Sequence, residues 1–223
     1  MRSAVRRPVC ALIIESTAAG SIELGENQSV TLPELRGVEE EAEWLEKNLP
    51  NWNGEVHRLT LDTVPDDTSF KLELQKLLKQ EWSLVHYIGH CHLDEQSSKR
   101  YIFCPGYPPE AIEIGVFANW LVEAKTRFLF LSGCRSSEAG FVFKLAQQQI
   151  PAVLGFYRAI SDDDAPKFTE LFYQSLFDST DGRCIERAFL SARKAMREVE
   201  RDRPKMQRSG FWAAPLLIMQ TSN

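Results

Sequence analysis

The chain has 223 residues, 43% of them hydrophobic and 26% charged, an ordinary globular composition that suits one α/β domain over residues 1–223. A formal net charge of -5 rules against a nucleic-acid binder driven by global charge, because such domains are strongly basic. The five cysteines, Cys10, Cys91, Cys104, Cys134 and Cys184, are odd in number and none pair at CxxC spacing; this argues against a disulfide framework and a zinc ribbon and for a reducing, cytoplasmic setting.

The opening stretch carries arginines, an apolar run and small residues, like a secretory leader. The run is short, however, and Glu15 closes it, so Val9–Glu15 reads as a first buried strand. Residues 21–29 are polar and Gly-containing and read as a loop. Residues 35–49 carry Val38, Ala42, Leu45 and Leu49 on one stripe and read as an amphipathic helix. A strand follows at 55–61, then a helix at 69–80 with Ser69 as N-cap. Residues 84–89 form a third strand ending in His90. Residues 100–104 are a short β excursion before the Pro105-Gly106 turn. A helix at 114–124 precedes the strand 127–132, which runs into Gly133-Cys134. Then come a helix at 138–149, a strand at Ala152–Phe156, helices at Asp164–Phe177 and 183–200, and a last strand at 216–219. Strands that are nearly all apolar, alternating with helices, predict a mainly parallel six-stranded sheet covered by helices on both faces, an α/β three-layer sandwich. No apolar stretch is long enough to cross a bilayer, so no membrane partner is expected.

Ligands of such sheets bind beyond the carboxyl ends of the strands. His90 and Cys134 both fall there. A thiol at a strand-to-helix turn lies near a helix N-terminus, and both a helix dipole and a neighbouring cation such as Arg135 lower a thiol pKa. The thiolate attacks in acyl transfer, and one imidazole serves as base and then as acid. The histidine precedes the cysteine by 44 residues (134 − 90), close to the spacing of about 50 in caspases. Taken singly, a cysteine after a strand is more commonly a buried filler; order, spacing and strand-end placement together select the pair.

Three segments then resemble the CHAT family of caspase-like, separase-related cysteine peptidases: His86-Tyr87-Ile88-Gly89-His90, Leu129 to Cys134, and Val153 to Asp162. The resemblance continues through Phe168, Phe172-Tyr173 and Leu176, through Ala188 and Ala192-Arg193, and into Gly210 to Pro215. It covers the chain from about Leu84 to the C-terminus. It implies a caspase-like three-layer sandwich and a cysteine endopeptidase with Cys134 as nucleophile and His90 as base. Backbone N–H groups of Cys91 and Cys134 would form the oxyanion hole. Where the family usually has Gly after the catalytic histidine, this chain has Cys91. By the same resemblance Asp162 would meet a basic P1 side chain in the S1 pocket, while capping of the next helix is the competing role for Asp162 and the preferred one for Asp164. The family implies a protein or peptide substrate, no cofactor, and control by a regulatory protein partner or sensor domain, in bacterial defence or signalling.

Other readings stay open. His90 and His92, two apart, would face one way on a continuing strand and could chelate zinc, but no close third ligand is visible and no metal is expected. His86 reads as a partly buried core histidine. The arginine- and lysine-rich stretch 183–208, interleaved with acids, reads as a solvated helix face with i,i+4 pairs. No Gly-rich loop follows the first strand, against a nucleotide binder, and no direct nucleic-acid contact is expected. The remaining alternative is a catalytically inactive caspase-like module that serves only for interaction.

Overall fold

A computed structural model describes residues 9–25, 28–52, 54–133, 140–158, 160–161, 163–178 and 184–220. Its core is a six-stranded sheet built from β1 (Val9–Glu15), β4 (Gly54–Leu59), β5 (Leu84–Ile88), β9 (Phe128–Ser132), β10 (Ala152–Phe156) and β11 (Pro215–Met219). The order across the sheet is β11-β10-β9-β5-β1-β4, and every pairing is parallel except β10 with β11. The central strands β5, β9 and β10 are buried along their whole length, which is why they read as continuous apolar runs.

Alternation along these strands divides the core in two. Leu12, Ile14, Val85, Tyr87, Leu129, Leu131 and Val153 face the helices α2 (Phe70–Leu77), α3 (Ile114–Glu123) and α4 (Gly140–Gln147). Ala11, Ile13, Leu84, Ile88, Phe128, Phe130, Leu154 and Phe156 face α1 (Val38–Asn48), α5 (Asp164–Phe177) and α6 (Ile185–Asp202). The chain runs from β1 outward to β4, then returns past β1 to β5. Right-handed crossovers in opposite directions place α1 and α2 on opposite faces. The reversal lies between β1 and β5, and a crevice is expected beyond the carboxyl ends of the strands there.

The predicted three-layer α/β sandwich is therefore the observed one. Ser69 caps α2 as expected, its hydroxyl accepting from the Leu72 N–H. The stretch 21–29, expected as a loop, is instead a hairpin of β2 (Gly20–Gly25) and β3 (Gln28–Leu32). Ile22 and Leu32 bury against Tyr101 and Phe103, so tertiary packing overrides a glycine-rich, polar local sequence. The excursion at 100–104 is the middle strand of a second antiparallel sheet, β6 (Cys91–Asp94), β7 (Lys99–Cys104) and β8 (Glu110–Glu113).

Candidate active site

The parallel pairing of β5 with β9 sets Ile88 level with Ser132. Beyond that rung the Gly89 N–H donates to the Ser132 carbonyl at 3.0 Å. His90 and Cys134 each follow the rung by two residues. Cys134 lies outside the described residues, as does Asp162.

His90 is buried, and its Nε2–H donates to the Pro33 carbonyl oxygen at 2.7 Å. A carbonyl only accepts, so Nε2 carries a proton. Pro33 stands between β3 and α1. Its contribution is a backbone atom, so no side-chain pattern in the sequence announces it.

The backbone around His90 is fixed by Tyr87. The buried Tyr87 hydroxyl lies 3.0 Å from the carbonyl oxygens of both His90 and Phe103, which share its proton, and it accepts from the Phe103 N–H at 3.1 Å. Ser16 Oγ donates to the same Phe103 carbonyl at 2.7 Å. Burial, aided by the Cys91 thiol nearby, pushes the Tyr87 hydroxyl pKa well above its ordinary value, so it remains a donor. Gly89 is required by close approach: a Cβ there would stand 2.7 Å from Ser16 Cβ and from Tyr87 Oη.

Cys91 begins β6, opposite Ile102, and its side chain is buried in the core of the α2–α3–α4 face. A Cβ on Gly133 would stand 2.8 Å from Cys91 Sγ and 2.7 Å from the Gly89 carbonyl oxygen. The Cys91 side chain is thus accommodated by a glycine before Cys134.

Beside this corner, between α1 and α5, opens a small cleft lined by Leu35, Val38, Glu41, Ile88, Gly89 and Ser132, among others. Glu41 is almost fully buried. Its Oε1 accepts from Thr169 Oγ1 at 2.5 Å and from His86 Nε2–H at 2.9 Å, and its Oε2 accepts from Ser132 Oγ at 3.0 Å. The Tyr173 hydroxyl completes the set by donating to His86 Nδ1 at 3.0 Å. His86, expected to be partly buried, is wholly enclosed, with its ring edge-on to Phe130 at 4.6 Å. Sequence reasoning passed over Glu41, although a signal was present: it sits within the stripe Val38, Ala42, Leu45 at helical spacing, where an apolar residue belongs.

Asp164 does not cap α5 as expected. Ser161 takes that role, its Oγ accepting from the Asp164 N–H at 3.2 Å. The Asp164 carboxylate accepts from Ser161 Oγ at 2.7 Å and from both Nη atoms of Arg203, at 2.5 and 3.2 Å. Among the described residues no group of three His, Cys, Asp or Glu side chains is placed to hold a metal ion. His90 immediately precedes β6, which carries His92. The basic face of α6 is more than solvated: Arg193 and Arg197 lie over the Trp212 ring at 5.8 and 5.2 Å, clasping the closing segment. Among the described residues no helix is long and apolar enough to cross a membrane.

No curated protein matches the chain in sequence. Among solved structures, the fold is similar to the Arg specific cysteine proteinase gingipain R, with TM-score 0.55 and 12% identity, over 94% of this chain and 46% of that one. It is also similar to the Drosophila initiator caspase Dronc, with TM-score 0.55 and 13% identity, over 94% of this chain and 78% of that one. The chain thus spans less than half of gingipain R, and at these identities the likeness concerns the fold alone. The family model of the CHAT domain matches residues 2–220, and the chain belongs to the CHAT domain family.

Proposed function

We propose that residues 1–223 act as one cysteine endopeptidase unit, with Cys134 as nucleophile and His90 as general base. The observation that carries this reading is the placement of His90: it stands at the carboxyl end of β5, beside the strand that leads to Cys134, and its Nε2–H is given to the Pro33 carbonyl. His90 takes the thiol proton as sulfur bonds to the scissile carbonyl carbon. The backbone N–H groups of Cys91 and Cys134 receive the developing oxyanion; such donors are each worth about 3–4 kcal/mol of barrier. His90 then protonates the leaving amine as the C–N bond breaks. Water, deprotonated by His90, hydrolyses the thioester and restores the thiol.

Asp162 is proposed to receive a basic P1 side chain. Control by a protein partner or sensor module, within a bacterial defence or signalling system, is part of the same proposal. Peptide reporters varied at P1, with Cys134→Ala as control and a peptide chloromethyl ketone as trap, test it. Cleavage after Arg or Lys that vanishes in the control and in Asp162→Ala supports both assignments. Cleavage after another residue keeps the peptidase and removes Asp162 from S1. A chain that is neither cleaving nor labelled at Cys134, with its partner present, is an interaction module.

A further inference from the structure

We propose that Glu41 is a positioning residue for the catalytic pair, acting through Ser132 and His86. The proposal rests on the peptidase reading above.

Burying a carboxylate is costly unless donors surround it. Three of the roughly four acceptor sites of Glu41 are filled, by Ser132, His86 and Thr169. The donors come from different elements: Ser132 from the end of β9, His86 from β5 and Thr169 from α5. Glu41 itself sits in the first turn of α1, just after the segment that supplies the Pro33 carbonyl to His90. One carboxylate therefore ties together the three pieces of backbone on which the dyad depends. Ser132 is held twice, by its side chain to Glu41 and by its carbonyl to the Gly89 N–H, and it stands two residues before Cys134.

Hydrophobic side chains of similar volume would fill such a site at no loss of stability. A network with one geometry is instead suited to fixing strand ends to the tolerance that catalysis needs, where a displacement of about 1 Å costs on the order of 100-fold in rate. The tautomers agree throughout. Burial, with Glu41 close by, pushes the Tyr173 hydroxyl pKa well up, so it donates to His86 Nδ1, and His86 Nε2–H is turned to Glu41.

The test compares wild type with Glu41→Gln and Ser132→Ala, both near-isosteric, and with Ser132→Thr, which restores the hydroxyl. It measures kcat and KM on the best reporter peptide, the rate of Cys134 alkylation by iodoacetamide from pH 5 to 9, and the urea midpoint. Glu41→Gln and Ser132→Ala are expected to lower kcat about 10- to 100-fold with KM within about twofold, and to slow alkylation in parallel. Combined they should do no more than the worse one alone, and Ser132→Thr should recover most of the rate. A lowered urea midpoint with unchanged kcat in the folded protein means a structural role and overturns the proposal. A raised KM with unchanged kcat places Glu41 in substrate binding and also overturns it. If Glu41→Gln does not fold, Ser132→Ala alone decides. A wild-type chain without turnover or alkylation even with its partner present overturns both readings, whereas an active wild type with unaffected variants overturns only this one.

Discussion

The Pro33 carbonyl oxygen stands 2.7 Å from His90 Nε2 and fixes which nitrogen of the ring carries the proton. The contact holds the ring at the carboxyl end of β5, where the proposed general base is needed. Removing the ring in His90→Ala is expected to lower kcat/KM by about 10²- to 10⁴-fold, the range for loss of a general base. Alkylation of Cys134 near pH 7 should slow by more than tenfold in the folded variant, while the urea midpoint falls because a buried hydrogen-bonded ring is lost. Alkylation that proceeds at the wild-type rate would show that the thiol is activated by something other than His90.

Gly133 and Cys91 form a coupled steric pair. In Gly133→Ala the new methyl meets Cys91 Sγ at 2.8 Å and the Gly89 carbonyl at 2.7 Å. Overpacking of this kind costs about 1–3 kcal/mol. Cys91→Gly relieves the contact with sulfur but not with the carbonyl, so the double variant should recover only part of the loss. A denaturation double-mutant cycle measures this; additive effects would show that the side chains do not meet.

Much of this corner was legible in advance and some of it was not. The strand ends that carry His90 and Cys134 follow from apolar runs and local order, because parallel strands buried on both sides leave a strong signal. Ser16 and Pro33 act through backbone carbonyls at long sequence separation, Tyr87 also through the carbonyl of His90 three residues on, and nothing in their local pattern marks such a role. Glu41 was legible in principle as an acid on an apolar stripe, but the run of neighbouring acids at Glu39, Glu40 and Glu43 masked it. The hairpin of β2 and β3 was missed because its strands are short and gain their burial from the distant residues Tyr101 and Phe103. Asp164 read as a cap because capping is the common local use of an aspartate; its true partner, Arg203, lies 39 residues on.

That Asp164–Arg203 fork joins the start of α5 to the end of α6. The carboxylate is nearly buried, while the guanidinium side chain is 31% exposed. Arg203→Ala would leave the carboxylate without its cation. Losing one partner of a fully buried pair costs about 3–5 kcal/mol; with Arg203 open to water, about 1–3 kcal/mol is expected. Arg203→Lys keeps the charge but loses the two-pronged geometry and should recover less than half of the loss. Urea unfolding of the three proteins checks this, and an Arg203→Ala midpoint equal to wild type would reduce the pair to a surface contact.

Stability should also fall at alkaline pH, because burial raises the pKa of Tyr87, Tyr173 and Cys104 in the fold. In the unfolded chain these groups deprotonate near pH 10, 10 and 8.5. Above those values the unfolded state has released protons that the folded state still holds, so stability decreases as pH rises. Each group contributes a slope of about 1.4 kcal/mol per pH unit until its folded pKa is reached. Stability is therefore expected to be level near pH 8, to decline gently from about pH 9 as Cys104 enters, and to fall by about 4 kcal/mol per unit above pH 10, when all three contribute. Tyr173→Phe should remove about a third of the steep slope, and Cys104→Ala should delay the onset to near pH 10 while lowering stability at every pH through the lost packing. Urea midpoints measured from pH 7.5 to 11 give the slopes directly. A wild-type profile that stays flat to pH 11 would mean that these hydroxyls and the thiol ionise in the folded protein as readily as they do in water.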